Sequence, residues 1–157
     1  MPSVTVQITP AGPVVMAHVT TSRYRAEALV KAGLTPPPWR LCRLLVDTGA
    51  SGTCIDEGIL LSAGSAPIDM TSIHTPSTDG VPETRNVYDA QIFIAPQAII
   101  SQTNNNQQFS SQPFLQSLRI VGISMKDQPI DGLLGRDVLS CCNLIYHGNI
   151  NLFVLSW

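Results

Sequence analysis

Apolar residues fall along this chain mostly in short alternating or continuous runs, broken by Gly, Pro, Asn and Asp, which is the pattern of a chain built from strands. Val4, Val6 and Ile8 alternate with polar residues ahead of Pro10 and predict an edge strand; Val14 to Val19 predicts a second. Residues 23–33 (RYRAEALVKAG) break the rhythm. There Ala26, Leu29 and Val30 share one helical face, Gly33 stands at the C-cap, and Pro36 to Pro38 end the segment, so residues 22–40 read as a helical, proline-rich insertion. Leu41 to Val46 and Thr53 to Asp56 predict two further strands, and the glycine- and serine-rich run 58–67 a loop. Residues 70–94 predict a long hairpin with its tip at Thr78-Asp79-Gly80, because Asp-Gly between extended segments favours a tight turn. Pro76 and Pro82 flank that tip and stiffen it. The polar run from Ser101 (SQTNNNQQFSSQ) buries too little apolar surface to offset the entropy of ordering, which predicts a mobile loop over 101–117. Leu118 to Met125 returns as a strand, residues 126–129 turn, Arg136 to Cys141 form a short helix, and 143–156 a terminal hairpin about His147-Gly148-Asn149.

Composition narrows what this chain can be. Its 157 residues, 44% apolar and 13% charged, suit one domain, 1–157, with ample core. A formal charge of −2 and the lack of a basic patch argue against a nucleic-acid partner. No apolar run approaches a membrane span and the N-terminus lacks a signal-peptide pattern, so a cytoplasmic protein with no membrane partner is expected. Cys42, Cys54, Cys141 and Cys142 match no zinc spacing and read as buried free thiols; His18, His74 and His147 are far apart. No metal and no cofactor are expected.

One stretch carries chemistry. Leu44-Leu45-Val46-Asp47-Thr48-Gly49-Ala50-Ser51 runs three apolar residues into an acid, a hydroxyl and a glycine. An aspartate at the end of a buried strand needs supporting groups to ionise, and the small residues after it allow a sharp turn with room for a substrate backbone. A second stretch, Ile130-Asp131-Gly132-Leu133-Leu134-Gly135-Arg136-Asp137-Val138-Leu139, again brings an apolar run to a glycine. With Val87-Tyr88-Asp89-Ala90-Gln91-Ile92-Phe93-Ile94 as a weaker third match, these segments resemble, in order, the retropepsins, single-domain aspartic proteases of retroviruses and their cellular and bacterial relatives. The extra terminal strand is more similar to the cellular and bacterial members.

The resemblance implies a mainly β, single-domain retropepsin-like barrel with a flap hairpin at 70–94 and one or two short helices. It implies an aspartic endopeptidase whose catalytic acid is Asp47, acting on peptide or protein substrates. Two carboxyls sharing a proton are needed, one as general base to water and one as acid to the carbonyl oxygen, and the sequence offers one Asp-Thr-Gly. Asp56, Asp89, Asp131 and Asp137 lack the small-residue turn, so the second acid comes from a homodimer. In the family the termini of both subunits interleave into one sheet, and the C-terminal hairpin is expected to carry more of that interface than the N-terminal strand. By resemblance Thr48 and Gly49 support the acid; Gly49, Ala50, Ser51 and Leu133 line the cleft under Thr78, Asp79 and Gly80; and Arg136 braces the loop. The acid that usually pairs with that arginine is here Ser51, which leaves Asp56 or the C-terminal hairpin to replace it. The alternatives are a non-catalytic dimerisation or peptide-binding module of the same fold, and a thiol- or metal-dependent enzyme.

Overall fold

The computed structural model describes residues 1–73, 81–96 and 112–157. Within them the chain is mainly β, with ten strands: β1 (Ser3–Gln7), β2 (Val14–Thr21), β3 (Arg40–Val46), β4 (Cys54–Asp56), β5 (Pro67–Ile73), β6 (Glu83–Ile94), β7 (Phe114–Ile123), β8 (Gly132–Leu134), β9 (Asn143–His147) and β10 (Leu152–Ser156). Three helices join them: α1 (Arg23–Lys31), α2 (Glu57–Ser62) and α3 (Arg136–Leu139). Six strands in the order β2-β3-β8-β4-β7-β6 close into a barrel when β6 pairs back onto β2, from His18 opposite Phe93 to Thr21 opposite Ala90. Strand β5 extends the sheet beyond β6. A second sheet, β1-β10-β9, contributes Phe153 and Leu155 to the same core as Val15, Leu44, Ile55, Tyr88, Ile92, Ile120 and Leu134. Alternation explains the closure: Val15, Ala17 and Val19 on β2, and Cys42, Leu44 and Val46 on β3, all point inward and are buried. Among the described residues no helix is long and apolar enough to cross a membrane.

The run 58–67, expected as a loop, begins instead with a helix. Asp56 accepts the Gly58 N–H at 2.9 Å as N-cap, Leu60 is buried, and Gly64 ends the helix at φ 76°. At that end the Ser65 N–H reaches Leu60 O and the Gly64 N–H reaches Leu61 O, the 6→1 and 5→2 pair that needs a left-handed residue. Helix α1 ends the same way at Gly33, with the Leu34 N–H on Leu29 O. It buries none of its residues, and Val30, expected on its inner face, is exposed. The proline segment packs back on the barrel: the Thr20 hydroxyl donates to Pro37 O, and Trp39 lies against Phe93.

The hairpin of β5 and β6 is antiparallel, from Pro67 opposite Tyr88 to Ile73 opposite Glu83. Its expected tip, Thr78, Asp79 and Gly80, lies outside the described residues, as does Pro76. So does most of the polar loop, but its expected end at 117 is overturned. Strand β7 starts at Phe114, which pairs with Ile94 and is buried against the core. The terminal hairpin is present as β9 and β10, joined by a 3-10 turn at Gly148–Ile150.

Candidate active site

Asp47 is delivered by β3, and the segment beneath it is β8. The two run parallel, Leu44 beside Gly132, Leu45 beside Leu133 and Val46 beside Leu134, so the two sequence motifs meet edge to edge. The Asp47 N–H then donates to Leu134 O at 3.1 Å. After Asp47 the chain turns back on itself, with the Ala50 N–H on Asp47 O at 3.3 Å. The carboxylate is dressed by the same turn: its Oδ1 accepts the Gly49 N–H at 2.8 Å and the Ala50 N–H at 3.3 Å. Two amide donors on one oxygen fix the side chain's direction. Oδ2 has no donor among the described residues, and Asp47 is half-exposed.

The loop is fastened from below at three points. The Arg136 N–H donates to Ala50 O at 3.0 Å, and its guanidinium Nη1 donates to Thr48 O at 3.0 Å and Gly49 O at 3.3 Å. That geometry answers the question left by Ser51: Arg136 spends itself on backbone carbonyls. Asp56, one of the two expected replacements, is elsewhere, holding the Gly58 N–H and the Met125 N–H. Gly135 admits no side chain, since a Cβ there would stand 2.5 Å from Gly52 O. Of the other expected residues, Thr48, Gly49 and Ser51 are exposed, while Ala50 and Leu133 are half-buried. Leu133 lies beside Leu45 and opposite Cys54, with all three side chains half-buried in one row across β3, β8 and β4.

One pair escaped the sequence reading. Thr53, fully buried, donates its hydroxyl to Asp137 Oδ1 at 2.7 Å and its N–H to Oδ2 at 3.0 Å, and the same hydroxyl accepts the Gly135 N–H at 3.1 Å. Asp137 also takes the Val138 N–H at 2.9 Å within the first turn of α3. This lock joins the far end of the Asp47 loop to the second motif. The other acids of adjoining segments are engaged in the same structural way, Asp131 with the Arg43 N–H at 2.8 Å and its guanidinium.

No family model matches the chain, and no relative is found among curated proteins.

Cys42, Cys54 and Cys142 are poorly placed as nucleophiles, whereas Cys141, expected to be buried, is exposed. Burial pushes Cys42 up to about 12, and burial pushes Cys54 and Cys142 each to about 11. Among the described residues no group of three His, Cys, Asp or Glu side chains could hold a metal ion. A separate cluster ties the β5–β6 hairpin to α2. Glu57 Oε1 accepts the Tyr88 hydroxyl at 2.5 Å and the Asn86 amide at 2.8 Å. Those two donors, the hydroxyl first, hold the Glu57 carboxyl below its usual range, while burial and then Glu57 push Tyr88 up to about 12.

Proposed function

We propose that the chain is an aspartic endopeptidase that works as a homodimer, one Asp47 from each copy forming the catalytic dyad. The observation that carries this reading is the dressing of Asp47. One carboxylate oxygen is pinned by two loop amides, the other has no donor among the described residues, and the loop is braced by Arg136. A carboxylate so held can approach a symmetry mate and share one proton with it, since two charges that close cannot both ionise. The deprotonated member takes a proton from the attacking water; the protonated member gives its proton to the substrate carbonyl oxygen. Thr48, exposed beside the acid, faces the partner loop, and Gly49, Ala50, Ser51 and Leu133 line a cleft for an extended peptide. The β5–β6 hairpin serves as the flap. Four unpaired cysteines fit a reducing, cytoplasmic setting.

The test is Asp47→Asn. The amide keeps the shape and loses the general base, so peptide hydrolysis by this variant should fall to background with folding unchanged, and the wild type should work best below neutral pH. A well-folded Asp47→Asn variant that hydrolyses peptides at the wild-type rate would refute the assignment.

A further inference from the structure

The β5–β6 hairpin is fastened to the rest of the molecule unevenly. From Val87 onward β6 pairs with β7, beginning with Val87 opposite Val121, so that part belongs to the barrel. Before Val87 its strand partner is β5 alone, from Met70 opposite Asn86 to Ile73 opposite Glu83. The hairpin therefore leaves the barrel between Asn86 and Val87, and ladder hydrogen bonds to the barrel do not fix its angle beyond that point.

Glu57 sits at this exit. One carboxylate oxygen holds both Asn86, on the free side, and Tyr88, on the barrel side, at 2.8 and 2.5 Å. Tyr88 is fully buried, and its ring lies against Gly122, where a Cβ would stand 2.7 Å from Cε2. The base of Glu57 is held as firmly. It is the first residue of α2, directly after β4, which is paired on its two sides with β8 and β7. Asp56 caps α2 and also accepts the Met125 N–H at 2.9 Å. Upstream, the Thr53–Asp137 lock fastens the start of β4 where the Asp47 loop ends. The other side-chain ties of the hairpin among the described residues are slighter. Asp69 pairs with Arg119, but both side chains are more than half exposed, where an ion pair is worth little. Arg85 pairs with Glu83 on its own strand.

We propose that Glu57 is the positioning residue of the hairpin: by holding Asn86 and Tyr88 on one oxygen it sets the angle at which β5 and β6 stand over the Asp47 loop, and with it how tightly an extended substrate is held. This rests on the reading that Asp47 hydrolyses peptides beneath the hairpin. Glu57 acts through the hairpin, so its effect falls on KM rather than on kcat. Protonation loosens the tie, because a neutral carboxyl loses the charge-assisted part of both bonds. The groups facing Glu57 from β6 are Tyr88, Asn86 and Arg85; β7 meets it at Gly122; and Asp56, next in the chain, is occupied by the Gly58 and Met125 N–H groups. The Tyr88 hydroxyl and then the Asn86 amide hold the carboxyl below its usual range, so the tie is complete above about pH 4.3 and weakens as pH falls from there.

The experiment combines kinetics with hydrogen exchange. The substrate is the best-cleaved peptide without ionisable side chains from a quenched-fluorescent library, and the proteins are the wild type, Glu57→Gln, Tyr88→Phe and, as control, Asp69→Asn. KM should rise about tenfold for Glu57→Gln and Tyr88→Phe with kcat within about twofold, while Asp69→Asn leaves both unchanged. Amides of β5 and of residues 83–86 should exchange faster in the first two variants, and those of β2 and β3 should not. As pH falls below about 4.3, the wild-type KM should climb towards that of Glu57→Gln, whose own KM responds less. Folded Glu57→Gln and Tyr88→Phe proteins with wild-type KM and wild-type hairpin exchange overturn the positioning role and leave the dyad reading standing. A fall in kcat with KM unchanged overturns it as well. A wild type that cleaves no peptide refutes the dyad, and exchange then decides alone: faster hairpin exchange in the variants upholds the tie, and unchanged exchange sinks it.

Discussion

Thr53→Val removes one buried hydroxyl and keeps the branching and volume of the side chain, so it isolates the lock beneath the Asp47 loop. Two interactions go. The hydroxyl no longer donates to the Asp137 carboxylate, formerly at 2.7 Å, and hydrogen bonds to charged groups are worth about 1.5–3 kcal/mol. The Gly135 N–H, formerly 3.1 Å from that hydroxyl, is left without its acceptor in a buried position, at a cost of about 1–3 kcal/mol. Asp137 keeps the Thr53 and Val138 N–H groups, which places the first loss near its lower bound. The expected total is about 3 kcal/mol, a large share of the roughly 5–15 kcal/mol typical of a domain. That corresponds to a Tm lowered by about 6–12 °C. Urea unfolding at fixed protein concentration, which removes any effect of self-association, measures it. Thr53→Ser is the control: it keeps the hydroxyl, loses a methyl, and should cost about 1 kcal/mol. If Val is within about 0.5 kcal/mol of the wild type, or Ser is the worse of the two, the lock does not work as argued.

The Glu57 cluster makes stability depend on pH at both ends. The Glu57 carboxyl sits below its usual range when folded, so its contribution is complete above about pH 4.3 and is lost as pH falls from there. Tyr88, raised to about 12, contributes fully below about pH 10 and loses that contribution as pH rises towards 12. Tyr88→Phe should flatten both limbs of the unfolding free energy against pH; parallel curves for the two proteins would count against the cluster. Alkylation orders the thiols: exposed Cys141 should react with iodoacetamide near neutral pH, while Cys42, Cys54 and Cys142 should wait for denaturant. Peptide mapping that finds Cys54 labelled first in the folded protein would show that β4 opens.

Those features divide into what a single sequence carries and what it does not. The strand into Asp47 was legible because three apolar residues end at an acid, and β8 because the same pattern recurs before Gly135. The hairpin at 143–156 was legible because apolar runs flank His-Gly-Asn. Helix α2 was not, because Gly58, Ser62 and Gly64 suggest a loop until Asp56 is seen as its cap and Gly64 as its end. The Thr53–Asp137 lock joins residues far apart in sequence, and nothing local to either marks the other as its partner. The same holds for Arg136, whose acceptors are main-chain oxygens and so leave no trace in side-chain identity.

The central position of β10 also sets an order of events. Ser3 faces Ser156, so β1 cannot be completed until residue 156 has been made, whereas β2 and β3 join two neighbouring stretches. Closing so long a loop carries a high entropic cost before any contact rewards it. During synthesis the barrel's first strands can associate while Val4 and Val6 wait unpaired, and the five residues of β10 then dock β1 and β9 in one step. Slow refolding of this protein should therefore be concentrated in the small sheet, with the barrel already formed behind it.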